Sequence, residues 1–277
     1  MKRSILCLLL VAALSAVLPT AAQTRRAVQG PQGWAEIQAE LALKNGDYLL
    51  LAVRGQRDLN TPDYSFDNRR LGFDEQRYTL GYEHFWDDKW SLGGTLRLQA
   101  TGPRELVLVP ELLLRHRSAV GPLTFGQRLS LERTLPNNAG YVGAPGPDGQ
   151  TFARLRVDLE KDLPFGSGSL ALRPRLSYEA ATHLRFKKDP NAGEERTIDF
   201  TSLRAEVGLR LSPHVDLTPW FAYQTNYFLT LPQYDANGNQ ISGGKLNLVT
   251  PVLGLEARFT LFRGPAAPTQ RQLPTQH

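Results

Sequence analysis

The segment KWSLGGTLRLQA, residues 89–100, alternates strictly between apolar and polar side chains. Successive side chains of a β-strand point to opposite faces of the sheet, so this alternation predicts a strand with one apolar and one polar face. It leaves open which face points inward. In a soluble β-protein the leucines form the core and Arg97 meets water, whereas in a membrane barrel the leucines meet lipid and Arg97 lines the lumen.

The same alternation recurs along the chain. The predicted strands are 34–43, 47–55, 75–87, 89–101, 104–117, 121–135, 151–163, 168–182, 196–212, 214–229 and 245–262. Many of these segments are longer than the usual strand of about five or six residues in soluble proteins. Their lengths match the roughly nine to eleven residues with which a tilted strand crosses a bilayer. Strand length therefore favours the membrane barrel.

The connections between the predicted strands fall into two kinds. Short ones, at 86–89, 164–167 and 212–214, alternate with mostly long polar ones at 56–74, 136–150, 183–195 and 230–244. Outer-membrane barrels have tight periplasmic turns and longer outer loops. We therefore expect an all-β chain that forms a single antiparallel up-and-down transmembrane β-barrel over residues 34–262. Bacterial single-chain barrels have even strand numbers, so the expected number is about 12, with 10 as the fallback and a missing strand in 61–73.

The N-terminal segment has the layout of a secretory signal peptide. A basic start at residues 2–3 precedes an apolar run over 5–18, and small residues suit cleavage between Ala22 and Gln23. The only cysteine, Cys7, lies in this segment, so the exported chain is expected to lack disulfides and thiolate ligands. The predicted organisation, in the bacterial outer membrane, is a signal peptide at 1–22, a linker at 23–33, the barrel at 34–262 and a polar tail at 263–277.

In the barrel interpretation, the polar face of each strand lines the lumen. The predicted lumen-lining charged residues are Arg97, Glu111, Arg115, Arg128, Glu132, Arg154, Arg156, Asp158, Glu160, Arg173, Arg175, Glu179, Arg204, Glu206, Arg210, Glu256 and Arg258. Arginines and carboxylates on neighbouring strands can form ion pairs that fill a narrow interior. The mixture of signs argues against strong ion selectivity and favours a small, partly occluded pore.

Aromatic residues cluster near predicted strand ends, where an interfacial girdle is expected. The predicted girdle comprises Trp34, Trp86, Trp90, Tyr223, Tyr227 and Phe228. The final strand ends in Phe262 and resembles the closing strand by which barrels are recognised for insertion, with Gly254 and Phe259 spaced as in that signal. The expected partners are outer-membrane lipid, lipopolysaccharide and, through this strand, the barrel-assembly machinery.

Three features together carry a family resemblance: the hairpin that begins at Trp34, the segment RYTLGYEHFWDDKWSLGGTLR over 77–97, and the repeated arginine-rich strands. They resemble the bacterial outer-membrane barrel family catalogued as domain of unknown function 2490. The resemblance covers most of 34–262. It implies the barrel fold and the outer-membrane location, and it supplies no catalytic residues.

The sequence predicts no catalytic, cofactor-binding or metal-binding residues. Outer-membrane phospholipases and lipid A deacylases carry a histidine two residues before a serine, whereas His84 is followed by Phe85 and Trp86. The five histidines are widely spaced, which argues against a metal cluster. The net charge of +5 arises from basic residues scattered among nearly as many acids, so no nucleic-acid partner is expected.

Three functions remain open at this point. The leading hypothesis is a non-enzymatic outer-membrane barrel with a charged Arg/Glu lumen that acts as a small or partly occluded channel, or as a structural protein. The first alternative is a membrane-embedded enzyme that modifies lipid or lipopolysaccharide. The second alternative is a soluble periplasmic lipocalin-like protein that binds an apolar ligand.

Overall fold

The computed structural model describes residues 25–43, 46–60, 71–87, 89–101, 105–136, 149–165, 170–185, 197–237 and 240–262. Secondary structure in these ranges is all β, with no helix. No helix in them is long and apolar enough to cross a membrane. The predicted signal peptide at 1–22 and the predicted polar tail at 263–277 lie outside the described residues.

Fourteen strands follow one another in the described ranges. They are β1 (Arg25–Val28), β2 (Gln32–Ala42), β3 (Tyr48–Asp58), β4 (Glu75–Phe85), β5 (Trp90–Thr101), β6 (Glu105–Val120), β7 (Leu123–Arg133), β8 (Leu135–Pro136), β9 (Thr151–Glu160), β10 (Leu163–Pro164), β11 (Ala171–His183), β12 (Phe200–Ser212), β13 (Val215–Tyr234) and β14 (Gln240–Phe262). The strands predicted from alternation correspond, in order, to all of these except the short β1, β8 and β10.

Eleven of the described strands close into a barrel, which confirms the predicted fold class. Neighbours from β2 through β7, β9 and β11 to β14 pair antiparallel in chain order. The ring then closes through a parallel pair between β14 and β2, from Val252 opposite Gln32 to Phe262 opposite Ala42.

The predicted number of about 12 strands, or 10, is wrong for the described residues. The even-number argument assumed an antiparallel closing pair. In an up-and-down ring of eleven, the first and last strands run in the same direction, so the odd number is closed by the parallel seam. Residues 61–70, within the segment predicted to hold a twelfth strand, lie outside the described residues.

The parallel seam is lengthened by β1. Val28 lies opposite Val249 and Gln32 lies opposite Val252. Between these two pairs the N-terminal segment advances by four residues and β14 by three, so the N-terminal segment has one extra residue. The extra residue is accommodated as in a β-bulge, beside a hydrogen bond from Gln29 N–H to the carbonyl of Val249 at 2.8 Å. The predicted linker at 23–33 is therefore wrong where β1 and the start of β2 lie, because both are paired strand.

The two ends of the barrel differ. The short connections at 43–47, 86–89, 121–122 and 213–214 lie at one end, which we name the turn end. The connections at 59–74, 134–150 and 184–199 lie at the other, which we name the loop end. The predicted loop at 230–244 is largely strand instead, because β13 continues to Tyr234 and β14 begins at Gln240.

Side-chain burial shows which face of each strand points inward. In β12, Leu203 and Val207 are exposed on the outside, whereas Arg204 and Glu206 are buried in the lumen. The same inversion holds around the barrel, with exposed leucines outside and buried charged residues within. Soluble proteins have the opposite distribution, and a membrane barrel has this one. The lipocalin-like alternative requires an apolar interior and is not retained.

Candidate functional site

The charged side chains of the lumen form two zones along the barrel axis. We name the zone towards the turn end the floor, which comprises Glu36, Glu40, Glu83, Arg115, Arg117, Asp158, Glu160, Arg173, Arg175, Glu206, Arg210, Asp216, Glu256 and Arg258. We name the cavity towards the loop end the vestibule. Its charged lining residues are Arg54, Arg77, Arg97, Glu111, Arg128, Glu132, Arg154, Arg156, Glu179 and Arg204.

One part of the floor is built around Arg258 on β14. Its Nη2 lies 2.9 Å from Glu256 Oε1 and its Nε lies 3.5 Å from Glu40 Oε1 on β2. Gln38 Nε2 donates to Glu40 at 2.5 Å, and Thr260 Oγ1 donates to the other Glu40 oxygen at 3.3 Å. Both carboxylates and the guanidinium are almost fully buried. The arginine therefore bridges the two strands of the parallel seam.

A second series of contacts continues the floor across β9, β11 and β12. Arg175 lies 2.5 Å from Glu160 and 3.2 Å from Glu206. Arg204 lies 2.6 Å from Glu206 and 3.6 Å from Glu256, whose other oxygen accepts from Arg258. An unbroken series of ion pairs thus runs from β9 to β2. Its side chains are buried or half-buried in the barrel interior.

Two further ion pairs complete the floor. Arg115 lies 2.9 Å from Glu83, which also accepts a hydrogen bond from Ser91 Oγ at 2.5 Å. Arg173 pairs with Asp216. The contact between Arg173 and Asp216 is a charge-assisted hydrogen bond, which is stronger than a bond between neutral side chains. The contact between Arg115 and Glu83 is an ion pair at close distance without hydrogen-bond geometry. Both pairs are buried, where an unpaired charge would be costly.

The vestibule is a cavity of about 470 Å³. Glu132 lies 3.1 Å from Arg97 and 2.7 Å from Arg154, and Glu179 lies 2.9 Å from Arg154 and 3.1 Å from Arg128. Three arginines therefore share two carboxylates. Each guanidinium carries several N–H donors in a fixed plane, so this wall offers more donors than the carboxylates occupy.

Two tryptophans form an aromatic wall of the vestibule. Trp34 on β2 and Trp220 on β13 meet edge to face, with ring centroids 5.5 Å apart at 84°. Between them lies Gly254 of β14, opposite both residues in register, and the indole of Trp220 covers its Cα. Arg54 stacks over Trp34 at 4.3 Å and Arg204 over Trp220 at 4.1 Å. Cation–π contact holds both guanidinium groups at the cavity surface.

The assignment of Trp34 to an interfacial girdle is wrong. Trp34 is only 8% exposed and lines the vestibule. The reason is strand parity, because Trp34 lies on the same face of β2 as the buried Glu36 and Glu40.

The other predicted girdle residues lie in two places, Trp86 and Trp90 at the turn end and Tyr223, Tyr227 and Phe228 along β13. Trp86 and Trp90 are exposed and stack at 6.4 Å beside the turn of Asp87. There, the backbone N–H groups of Lys89 and Trp90 donate to Asp87 at 2.6 and 2.7 Å, which lowers the pKa of its carboxyl below the ordinary value. Tyr223 and Phe228 are exposed, whereas Tyr227 is half-buried with its hydroxyl 3.1 Å from Thr201 Oγ1.

The predicted lumen residues are all at least partly buried. Those that are buried are Arg115, Arg128, Glu132, Arg156, Arg173, Arg175, Arg204, Glu206, Glu256 and Arg258. Those that are half-buried are Arg97, Glu111, Arg154, Asp158, Glu160, Glu179 and Arg210. The sequence analysis missed lumen residues in β2, β3, β4 and β13, namely Glu36, Glu40, Arg54, Arg77, Glu83, Asp216 and Trp220. A signal for the first two was present, since 36, 38 and 40 alternate with apolar residues.

A third polar cluster lies on the outside of the barrel at the turn end. His84 Nδ1 lies 2.7 Å from Asp47 Oδ1, and the hydroxyl of Tyr82 donates to Asp47 Oδ2. Asp47 is buried in the β2–β3 connection, whereas about half of the His84 side chain is exposed. Nothing in the spacing of His84 and Asp47 along the sequence indicated this contact. The pair ties the β2–β3 connection to β4.

Replacing His84 with alanine is expected to lower the free energy of unfolding by about 1 kcal/mol, the net value of one hydrogen bond. Asp47 keeps the Tyr82 hydroxyl as a donor, so its carboxylate is not stranded. Urea unfolding in detergent micelles, followed by heat-modifiable gel migration, measures the change. His116→Ala is the matched control, because His116 is an outer-face histidine whose ring centroid lies 4.4 Å from that of Trp90 at a tilt of 43°. Equal destabilisation by the two substitutions would contradict a specific role for the Asp47 contact.

In the described residues, the fold and lumen define a closed β-barrel with an apolar exterior and a charged interior. In that part of the chain, no group of three or more metal-ligating side chains is placed to hold a metal ion.

No family model matches the chain, and no curated protein matches it. The solved structure of the NanC porin is similar at 13% sequence identity, covering 77% of this chain and 93% of that chain, with a TM-score of 0.37. The resemblance to the family catalogued as domain of unknown function 2490 stays a prediction.

Proposed function

We propose that the chain is a non-enzymatic outer-membrane β-barrel whose lumen is a vestibule closed at the turn end by the floor. The observation that carries the proposal is the unbroken series of ion pairs from Glu160 to Glu40. An open porin would leave a solvated channel in the place these side chains occupy. The protein thus acts as a partly occluded channel, or as a structural barrel with a one-sided cavity.

The proposal includes the location of the barrel in the outer membrane and its route of export and assembly. The apolar outer face suits a lipid environment, and outer-membrane lipid and lipopolysaccharide are its expected surroundings. A signal peptide cleaved between Ala22 and Gln23 and recognition of β14 by the barrel-assembly machinery belong to the same proposal. The exposed Phe259 lies on the outer face of β14, where it is accessible to the barrel-assembly machinery.

Purified protein from the outer-membrane fraction, reconstituted in planar bilayers, tests the occluded lumen. Wild type is expected to show no large, stable single-channel conductance. Arg175→Ala and Arg204→Ala each remove a side chain that joins two carboxylates of the floor. We expect both to raise conductance above the wild-type baseline, on the order of severalfold, because a fixed charge and its bulk leave the constriction.

Arg133→Ala provides the matched control, because this arginine is exposed on the outer face of β7. Its conductance is expected to equal that of wild type. Large, stable steps in the wild-type protein would overturn the occluded lumen. Recovery of the protein only from the soluble fraction would overturn the membrane assignment.

A further inference from the structure

We propose that the vestibule is a binding site for a small organic anion that carries a carboxylate or phosphate group and enters from the loop end. This inference rests on the proposed function and specifies what the one-sided cavity holds. It differs from the expectation of a lumen without strong ion selectivity, because positively and negatively charged side chains are not evenly mixed along the barrel axis.

The lining of the vestibule is strongly biased towards positive charge. Its described lining residues include seven arginines and three glutamates. The floor below has a smaller, opposite bias, with eight carboxylates and six arginines by the definition given above. Charges held between low-dielectric walls focus the field along the cavity. An anion is therefore attracted into the vestibule and repelled by the acidic floor, which favours retention over passage.

The arginines of the vestibule retain donor capacity for such a ligand. Glu132 and Glu179 are shared by Arg97, Arg128 and Arg154, so three guanidinium groups face two carboxylates. On β12, two strands along the ring from Arg154, Arg204 contacts carboxylates, yet none of its three buried side-chain nitrogens makes a hydrogen bond of acceptable geometry with a described residue. Guanidinium groups with planar N–H donors suit carboxylate and phosphate oxygens.

The remaining lining indicates what the rest of the ligand is like. Trp34, Trp220, Phe152 and Phe200 present aromatic surface to the cavity. The indole N–H of Trp34 donates to Gln32 Oε1 at 3.2 Å, and Arg54 lies over its ring, so the aromatic surface is presented beside a guanidinium group. A volume of about 470 Å³ lies within the range of small-molecule sites. These walls suit an anion with a flat or apolar body.

The tryptophans provide a direct reporter. The chain has four tryptophans, of which Trp34 and Trp220 line the vestibule and Trp86 and Trp90 lie outside. The variant Trp86→Phe/Trp90→Phe therefore emits only from the cavity. Its fluorescence is measured with iodide and with caesium as quenchers at equal ionic strength, and then with iodide while inorganic phosphate or benzoate is added.

We expect iodide to quench about threefold more strongly than caesium, and phosphate or benzoate to reduce iodide quenching. Adding Arg97→Gln and Arg128→Gln is expected to lower the iodide-to-caesium ratio by about twofold, since the remaining five arginines and three glutamates still leave the lining net positive. Arg154 still pairs with both glutamates in that variant, so neither carboxylate is stranded. Arg133→Gln, an outward arginine of the same strand as Arg128, is expected to leave the ratio unchanged.

Two results in the Trp86→Phe/Trp90→Phe variant alone would overturn the anion site. One is equal quenching by iodide and caesium, and the other is iodide quenching that neither phosphate nor benzoate reduces. An unchanged ratio in Arg97→Gln/Arg128→Gln would overturn the assignment to these side chains, provided its heat-modifiable migration shows a folded barrel. Benzoate competition without phosphate competition would support a carboxylate ligand, and the reverse a phosphate ligand. If the quenching experiment fails while bilayer conductance is low, the binding site is rejected and the proposal of an occluded barrel is retained.

Discussion

Replacing Arg258 with alanine is expected to lower the free energy of unfolding by about 3–5 kcal/mol, because it strands buried carboxylates in the floor. Glu40 and Glu256 lie 3.5 and 2.9 Å from this guanidinium and are each about 1% exposed. Without Arg258, Glu256 keeps only a longer contact with Arg204 at 3.6 Å, and Glu40 keeps the neutral donors Gln38 and Thr260. Both carboxylates lie at the parallel seam that closes the ring. Urea unfolding in micelles or vesicles, followed by tryptophan fluorescence, measures the loss.

Two further variants separate stranded charge from a general loss of packing. Arg210→Ala removes an arginine whose side chain is 28% exposed and whose nearest carboxylates lie 3.8 and 4.0 Å away, so a loss under about 1 kcal/mol is expected. The triple variant Glu40→Gln/Glu256→Gln/Arg258→Leu removes the charges together and is expected to recover most of the loss. A triple variant as unstable as Arg258→Ala would show that the ion pairs are not the cause.

The barrel could be predicted from sequence because strand alternation depends on local geometry alone. Each predicted strand, such as 89–101 or 196–212, corresponds to a strand of the barrel. The strand number could not be deduced from a parity rule, because closure depends on which edges meet. A parallel pair between β2 and β14 joins segments over two hundred residues apart, and no local pattern encodes it.

The charged lumen was only partly predictable, for a related reason. Side-chain parity identifies which residues share a face, and Arg204 and Glu206 could be assigned in this way. Trp34 was misassigned because position near a strand end was given more weight than parity with Glu36. The separation into a basic vestibule and an acidic floor depends on the stagger between strands, which places Arg54 in the vestibule and Glu83 in the floor. The pairing of His84 with Asp47 likewise depends on register across β3 and β4.

Gly254→Ala is expected to lower the free energy of unfolding by about 1–3 kcal/mol, the usual cost of inserting a methyl group into an occupied space. A Cβ at this position would overlap the indole of Trp220, which cannot retreat towards Trp34 because the two rings are already in edge-to-face contact. The substitution also forces the rings away from Arg54 and Arg204, so the emission of Trp34 and Trp220 is expected to shift in the Trp86→Phe/Trp90→Phe background.

Gly208→Ala is the matched control for this substitution. Gly208 is also an inward-facing strand glycine, but a Cβ there would meet its nearest atoms at 3.5–3.6 Å, which is ordinary contact. A change within about 0.5 kcal/mol is expected, since no neighbour has to move. Combining Gly254→Ala with Trp220→Leu should relieve the overlap, so the two substitutions together should cost less than the sum of their separate effects. Strict additivity would mean that Gly254 is required for a reason other than the space that Trp220 fills.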